Sequence, residues 1–407
     1  MSPTPDGIRT MVPRERMSPS ARKLRDIYAI TPGAPFLKAE MGFFALERWA
    51  REGMPVDLTF QPSQSRYMAN VHDTRLPDKD TLAKLFDFDP PGHFYLQNLG
   101  WCEAAFEPAF EVKVVEDRGE YEVVQDIAGR HLLCFKGRRS GFMPEYLDHP
   151  VKDQKTWEEN VKWRLDPKTP QRFTDLAKRL EAARAAAGQG LLISQQIIGG
   201  CMYLRSLIGP EHVLYAYYDM PEVIHDAMRT WLALADAVTA WHQQHLTFDE
   251  VFLAEDICYN HGPLISPEMM REFLLPYYQQ LIRNIISRQL DASRHLFVHI
   301  DTDGHAESVI ELYQEAILME AMSPFEVASG CDVVKLGRKY PRLVMRGGID
   351  KRIIAQGPPA IDRHLEYILP AMRARGGYYP TCDHGVPEEC SYQNYLYYRK
   401  RCVELGG

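Results

Sequence analysis

Apolar runs with the spacing of β-strands alternate with amphipathic helical stretches from residue 154 to the C-terminus. Helices are predicted from Cys201, from Pro221 to His245, and from Ser266, an N-cap followed by a proline, to about Leu290. The predicted strands are 190–198, Glu250–Ala254, 295–300, 317–322, 343–346 and 377–379. Because strands that alternate with helices form parallel sheets, the pattern indicates six β/α units.

Six such units, with room for two more in the first 150 residues, predict an α/β fold that closes into a (β/α)8 TIM barrel. A doubly wound open sheet is the alternative. The polar residues favour the barrel because they fall at the C-terminal ends of the predicted strands, which form the active face of such a barrel. They are Gln195-Gln196, Glu255-Asp256, His299, Asp301, Glu326, Asp350 and Cys382-Asp383-His384.

The N-terminal third has a different pattern. Residues 1–35 form an arm rich in basic residues, and Ala39 to Glu52 has helical spacing that ends at Gly53. Residues 108–136 contain alternating runs around Arg118-Gly119, which predict an inserted antiparallel β-meander. The meander has two open roles, a cap over the barrel mouth or an oligomer contact. We treat residues 1–407 as a single barrel domain.

Composition excludes several classes of protein. A net charge of −8 and an acidic isoelectric point argue against a nucleic-acid partner, which normally meets a basic surface. No apolar run approaches the roughly 20 residues of a membrane span, so we expect a cytoplasmic protein without a membrane partner. The eight cysteines contain no C-x-x-C pair, and most of them are expected to be free thiols.

Two loops at predicted strand ends carry candidate chemistry. A single histidine on an apolar strand, or a single buried cysteine, is more often a packing residue, but here acidic groups accompany both. Imidazole, carboxylate and thiolate are the donors that zinc binds, and a catalytic zinc keeps one position open. The loops predict an enzyme with a partly open zinc site. Their residues are His299, Asp301, Asp303, Cys382, Asp383 and His384.

Several stretches of the chain together resemble the uroporphyrinogen decarboxylase superfamily. They are residues 255–257 (EDI), 262–267 (GPLISP), 273–278 (FLLPYY) and 347–351 (GGIDK). The resemblance extends from about Asp148 to the C-terminus and implies a barrel of the uroporphyrinogen decarboxylase type. Both decarboxylases and cobalamin-associated methyltransferases share that barrel.

Departures from the decarboxylase pattern favour the methyltransferases. The decarboxylase grips substrate carboxylates with an arginine-rich N-terminal segment, whereas residues 35–44 here read PFLKAEMGFF. The methyltransferases bind zinc through His-x-Cys and a distant cysteine, often with an earlier acidic residue. The resemblance therefore implies His299 and Cys382 as ligands, Asp301 in place of the first cysteine, and Glu255 as the earlier acid. Such a harder site would make zinc a stronger Lewis acid.

The expected function is zinc-dependent transfer of a methyl group from a small methoxylated or methylated compound to a corrinoid, as in an O-demethylase component. The corrinoid (cobalamin) would come from a separate partner protein, and a homodimer is compatible with the sequence. A metal-free decarboxylase or lyase and a non-catalytic corrinoid- or tetrapyrrole-binding protein remain alternatives. Expected catalytic residues are Asp303, Asp383 and His384, and expected substrate-binding residues are Glu40, Phe44, Gln195, Tyr203, Arg205 and Glu326.

Overall fold

A computed structural model describes residues 14–56, 79–136 and 145–406. Its central element is a parallel sheet of seven strands, with the order β1-β6-β7-β10-β11-β12-β13. These strands are β1 (His93–Leu99), β6 (Leu192–Ile198), β7 (Glu250–Ala254), β10 (Phe297–Asp301), β11 (Ala321–Ser323), β12 (Val344–Arg346) and β13 (Tyr378–Tyr379). The remaining strands are β2 (Lys113–Arg118), β3 (Tyr121–Gln125), β4 (His131–Phe135), β5 (Glu145–Asp148), β8 (Cys258–Tyr259) and β9 (Gly262–Pro263).

Helices follow almost every strand of the central sheet. They are α1 (Pro19–Tyr28), α2 (Leu46–Arg51), α3 (Lys79–Leu85), α4 (Gln154–Thr156), α5 (Pro170–Gly188), α6 (Gly200–Ile208), α7 (His212–Asp219), α8 (Pro221–Gln243), α9 (Pro267–Phe273), α10 (Leu275–Ser287), α11 (Glu307–Ile317), α12 (Val333–Lys339), α13 (Lys351–Ile354), α14 (Pro358–Arg375) and α15 (Tyr392–Gly406). Within the described ranges, no helix combines the length and apolarity that crossing a bilayer requires.

The α/β fold of TIM-barrel type is confirmed. All six strand pairings in the central sheet are parallel. Strand β7 matches its predicted bounds, and the other predicted strands are found with ends shifted by a few residues. The prediction of free thiols is also confirmed, since all eight cysteines lie in described ranges and none is in a disulfide.

Two helix predictions are corrected by the structure. The helix predicted from Ser266 to Leu290 breaks at Leu274 into α9 and α10. Pro276 explains the break, because proline has no N–H to donate and its ring clashes with the preceding turn. The helix predicted from Ala39 covers only α2, because the backbone just before it pairs with Val386 instead, through hydrogen bonds that involve Gly42 and Phe44.

Helix α1 covers the N-terminal ends of the strands of the central sheet. It begins at Ser18, whose hydroxyl accepts from the backbone N–H of Ala21, and it buries Leu24, Ile27 and Tyr28 beneath the strands. Gly190 lets the chain pass close to the residues just before this helix: a Cβ there would lie 2.1 Å from the carbonyl oxygen of Arg16.

The predicted meander is confirmed and gains a fourth strand, β5, so that the antiparallel order is β2-β3-β4-β5. A buried guanidinium ties it to the barrel. Arg130 donates to Asp126 at 2.8 Å and to Glu103 at 2.6 Å, and all three side chains are buried. The meander is therefore held by a charge cluster that cannot lose a member without leaving another charge unpaired.

Replacement of Arg130 by alanine is expected to destabilise the protein by about 3–5 kcal/mol, because it leaves two buried carboxylates without a cation. Urea unfolding followed by circular dichroism measures the loss. As a control, Lys339→Ala removes an exposed ion pair with Glu307 and should cost far less stability, because water already screens that pair. Equal losses in the two variants would contradict this account of the cluster.

Candidate active site

Charged side chains gather where the strands of the central sheet end. We call this group the mouth cluster. It comprises Arg205, Asp256, Asp301, Asp303, Glu326, Lys351, Asp383 and His384. Because parallel strands end at one edge of the sheet, the loops after β6, β7, β10, β11, β12 and β13 all contribute to it.

Two ion pairs organise opposite sides of the cluster. Arg205 on α6 pairs with Asp256, whose backbone has a positive φ of 45°. Lys351 pairs with Glu326 at 3.2 Å, and Glu326 also accepts from the backbone N–H of Gly304 at 3.0 Å. A non-glycine residue with positive φ is uncommon, and such strained residues concentrate at functional sites.

Asp303 lies between these pairs with no cationic side chain as its direct partner among the described residues. Its carboxyl group is 4.0 Å from Nε2 of His384, and 42% of its side-chain surface is accessible to solvent. Partial burial and the nearby carboxylates of Asp256 and Asp301 raise the pKa of Asp303 to about 8. The surroundings of Asp303 therefore favour its protonated form, and its side chain is open to a ligand from solvent.

Asp383 and His384 complete the cluster from the loop after β13. Asp383 accepts from the backbone N–H groups of Val327 at 2.9 Å and Lys351 at 3.1 Å, which fixes three loops against one another. Burial raises the pKa of Asp383 to about 6. Burial and the charge of Lys351 lower the pKa of His384, so its imidazole is neutral beside Asp303.

The N-terminal segment holds this loop in place. Glu40 accepts from the backbone N–H of Cys382 at 2.8 Å, and the ring of Phe44 stacks on His384 with centroids 6.0 Å apart. The indole of Trp49 donates to the carbonyl of Cys390 at 2.8 Å. Glu40 and Phe44, both predicted to bind substrate, thus lie beside the predicted catalytic loop.

A chain of buried hydrogen bonds runs from the mouth cluster into the sheet interior. Asp301 accepts from the hydroxyl of Ser323, which is 2.9 Å from Nε2 of His299. The other ring nitrogen of His299 lies 3.3 Å from Glu250, and Glu250 accepts as well from Tyr28. We call these five residues the interior chain.

Three residues of the interior chain, Tyr28, Glu250 and His299, line a small cavity of about 20 Å³, enough for one water molecule. Its lining includes His93, Tyr95 and Arg346 as well as Glu250 and His299. Although burial opposes ionisation, the neighbouring imidazoles of His93 and His299 keep the pKa of Glu250 below its usual value. Sequence reasoning missed Glu250 and Ser323; the signal was a single polar residue in a strand that is otherwise apolar.

The four predicted zinc ligands do not converge. Glu255 points into the helix layer, where it accepts from Tyr278 at 2.7 Å and Tyr313 at 2.9 Å. Burial raises the pKa of Glu255 to about 7 and the pKa of the Cys382 thiol well above its usual value. In the part of the chain that is described, no three His, Cys, Asp or Glu side chains form a group able to hold a metal ion.

The other three predicted ligands point into different parts of the protein. His299 and Asp301 face the sheet interior, where Ser323 joins them. The thiol of Cys382 instead belongs to the hydrophobic core, completely buried. The predicted donor set therefore does not fit a zinc ion in this arrangement.

Among the predicted substrate-binding residues, Arg205 and Glu326 belong to the mouth cluster. Gln195 and Tyr203 do not. Gln195 bonds to the backbone of Leu96 at 3.1 Å and to His242 of α8 at 3.0 Å, and Tyr203 is buried with apolar neighbours between sheet and helices. These two residues thus lie outside the mouth cluster, and their role in substrate binding stays a prediction.

Comparison with known proteins agrees with this fold. Residues 143–402 match the sequence profile of the family described as uroporphyrinogen decarboxylase (URO-D). Because the match covers more than half of the chain, the chain belongs to that family, whose members are enzymes. No curated protein matches the chain.

Solved structures extend the comparison to the fold. A methyltransferase from Methanosarcina mazei is similar with a TM-score of 0.59 and 13% identity, over 95% of this chain and 99% of that chain. A GH5 cellulase affiliated with Bacteroidetes has a TM-score of 0.34 and 9% identity, over 58% and 74% of the two chains. A structure described as a vitamin-B12-independent methionine synthase from Listeria monocytogenes has a TM-score of 0.37 and 12% identity, over 91% and 97%. At these identities the likeness to the first protein shows the fold alone, and the two lower scores carry no inference.

Asp303→Asn is expected to become more stable relative to the parent protein as pH rises from 5 to 9. The carboxyl group keeps its proton up to about pH 8 when folded but loses it near pH 4 when unfolded. The folded state therefore binds more protons in this window, and ionisation removes stability from the parent only. Melting temperatures measured across the range test this, with Asp236→Asn on α8 as control. A constant difference between parent and Asp303→Asn would contradict it.

Proposed function

We propose that this chain is a methyltransferase that cleaves the methyl–oxygen bond of a small methoxylated compound, with Asp303 as the proton donor to the leaving oxygen. The observation that carries the proposal is the position of Asp303, which is crowded by carboxylates yet open to solvent beside His384. Removal of a methyl cation from an ether leaves an anionic oxygen. A neutral acid in hydrogen-bond reach of that oxygen lowers the barrier.

The remaining cluster supports Asp303 in this role. Asp256 and Asp301 disfavour a second negative charge nearby, so the proton stays on Asp303 until a stronger base forms. The leaving alkoxide or phenoxide is that base. After the product departs as an alcohol or phenol, Asp303 recovers a proton from solvent through its exposed side.

The charge of the mouth cluster bears on the substrate. Among the described residues of the cluster, five carboxyl groups face two cations, Arg205 and Lys351, and both of these already pair with acids. Arg346, which lines the interior cavity, attracts Asp301 as well. A polycarboxylated tetrapyrrole would meet electrostatic repulsion here. An uncharged methoxylated donor would not, and the exposed ring of Phe44 offers it an apolar contact.

Zinc has no step in this mechanism. The predicted ligands His299, Asp301, Cys382 and Glu255 do not form a group, and proton donation by Asp303 takes the place of Lewis-acid activation. The methyl group itself needs an acceptor. A corrinoid supplied by a partner protein would provide a strong nucleophile for it, and the similarity in fold to a methyltransferase is consistent with this chemistry.

A decarboxylase is the second candidate, because Asp303 could equally protonate the carbanion left when carbon dioxide departs. The excess of carboxylates at the mouth argues against it, since a carboxylated substrate needs cations that are free to bind it.

The decisive experiment assays a panel of methoxyarenes, methylamines and carboxylated tetrapyrroles with and without reduced corrinoid protein. We expect demethylation of a methoxylated compound only with corrinoid, insensitive to metal chelators. Release of carbon dioxide from a tetrapyrrole without corrinoid would overturn the proposal in favour of the decarboxylase.

Asp303→Asn is expected to reduce the rate constant for demethylation by about 100- to 1000-fold, the usual contribution of a general acid. In the parent the rate should fall as pH rises through about 8, because the ionised carboxylate has no proton to donate. Single-turnover kinetics across pH measure both effects, and Asp236→Asn should behave as the parent. A rate that is independent of pH between 6 and 9 would show that Asp303 is not the acid.

A further inference from the structure

Strand β2 forms an open edge of the meander. Every one of its residues is exposed, although strands normally bury at least one face. Three valines lie in or beside it with 37%, 50% and 47% of their surface accessible: Val112, Val114 and Val115. β-Branched apolar side chains favour strands because they pack against neighbours, and within the described ranges β2 pairs only with β3.

We propose that β2 is a dimerisation edge, where it pairs in antiparallel fashion with β2 of a second copy of this chain. An edge strand presents unpaired N–H and C=O groups that another strand can extend. A second copy is the favoured occupant because two antiparallel copies of the segment place opposite charges face to face.

The charge pattern is symmetric about the point between Val114 and Val115. Pairing around that point sets Lys113 opposite Glu116 and Glu111 opposite Arg118, and the two-fold axis repeats each contact. Val114 faces Val115 at the centre. Opposite charges in directly facing positions stabilise a strand pair, whereas like charges would oppose it.

A β-bulge makes this register geometrically consistent. Side chains alternate between the faces of a strand, so Lys113 and Glu116 would normally lie on opposite faces. In β2, however, Val114 pairs with Val124 and Glu116 pairs with Val123, which leaves one extra residue between them. The bulge shifts the alternation by one position, so that Lys113, Glu116 and Arg118 share a face.

In the proposed dimer, the charged side chains determine the register of the two strands more than they determine the affinity. In one copy Glu111 already lies 3.6 Å from Lys113, and Glu116 lies 2.8 Å from Arg118. Dimerisation exchanges these exposed pairs for others of similar strength. The gain comes from burial of the valines and from backbone hydrogen bonds. A single strand pair is smaller than the roughly 1,600 Å² of a standard interface, so the dimer should dissociate at micromolar concentrations.

Sedimentation velocity between 1 and 500 µM tests the proposal directly. We expect a monomer–dimer equilibrium in the parent, a dissociation constant at least about tenfold higher in Lys113→Glu, and recovery to within about threefold in Lys113→Glu/Glu116→Lys. Lys335→Glu, an exposed position on α12, is the matched control. A monomer at every concentration, or a dimer insensitive to Lys113→Glu, would overturn the proposal.

Zero-length cross-linking tests the register. A water-soluble carbodiimide joins a lysine amine to a carboxylate as an amide with net loss of water. In a mixture of ¹⁴N- and ¹⁵N-labelled protein, mass spectrometry should find Lys113 of one isotope joined to Glu116 of the other. A dimer whose mixed-isotope links all lie elsewhere would assign the interface to a different surface. Neither experiment depends on the catalytic activity.

Discussion

A carboxylate buried inside the parallel sheet is the constraint on which much of this structure depends. Glu250 begins β7 with almost no exposure, and an unpaired charge in such a place costs several kcal/mol. It is stabilised by Tyr28 from α1, Ser194 from β6 at 2.7 Å and His299 from β10. Because these donors come from three distant parts of the chain, satisfying one carboxylate fixes the helix under the sheet and the register of its central strands.

The same constraint reaches the mouth cluster. Both ring nitrogens of His299 are engaged, one with Glu250 and the other with Ser323, and Ser323 in turn holds Asp301. Through these hydrogen bonds, His299 connects the sheet interior to the mouth cluster. The proposed chemistry therefore uses the outer carboxyl groups, because the inner residues are already engaged with one another.

Sequence pattern predicted the fold well and the site only in part. The apolar runs located β6, β7 and β10 because buried parallel strands are continuous in hydrophobicity. The pattern could not predict which way side chains point at the strand ends, because a shift of one residue moves a side chain to the opposite face of the sheet. Glu255 and Cys382 stand beside residues of the cluster, yet one enters the helix layer and the other enters the core. Pairing of residues 42–44 with Val386, a contact between distant parts of the chain, likewise displaced the predicted helix.

The excess of carboxyl groups in the mouth cluster lowers the stability of the folded state at high pH and favours a proton on Asp303. Arg205 and Lys351 pair with Asp256 and Glu326, while burial keeps His384 neutral. Lys351 also attracts the charge of Asp303, but burial and the neighbouring carboxylates outweigh it. A carboxyl group in that position destabilises the folded state at high pH but remains a proton donor at neutral pH. Adding a cation beside it would stabilise the fold and remove the donor. The balance of charges around Asp303 therefore suits the proposed reaction, in which a neutral acid meets an anionic oxygen.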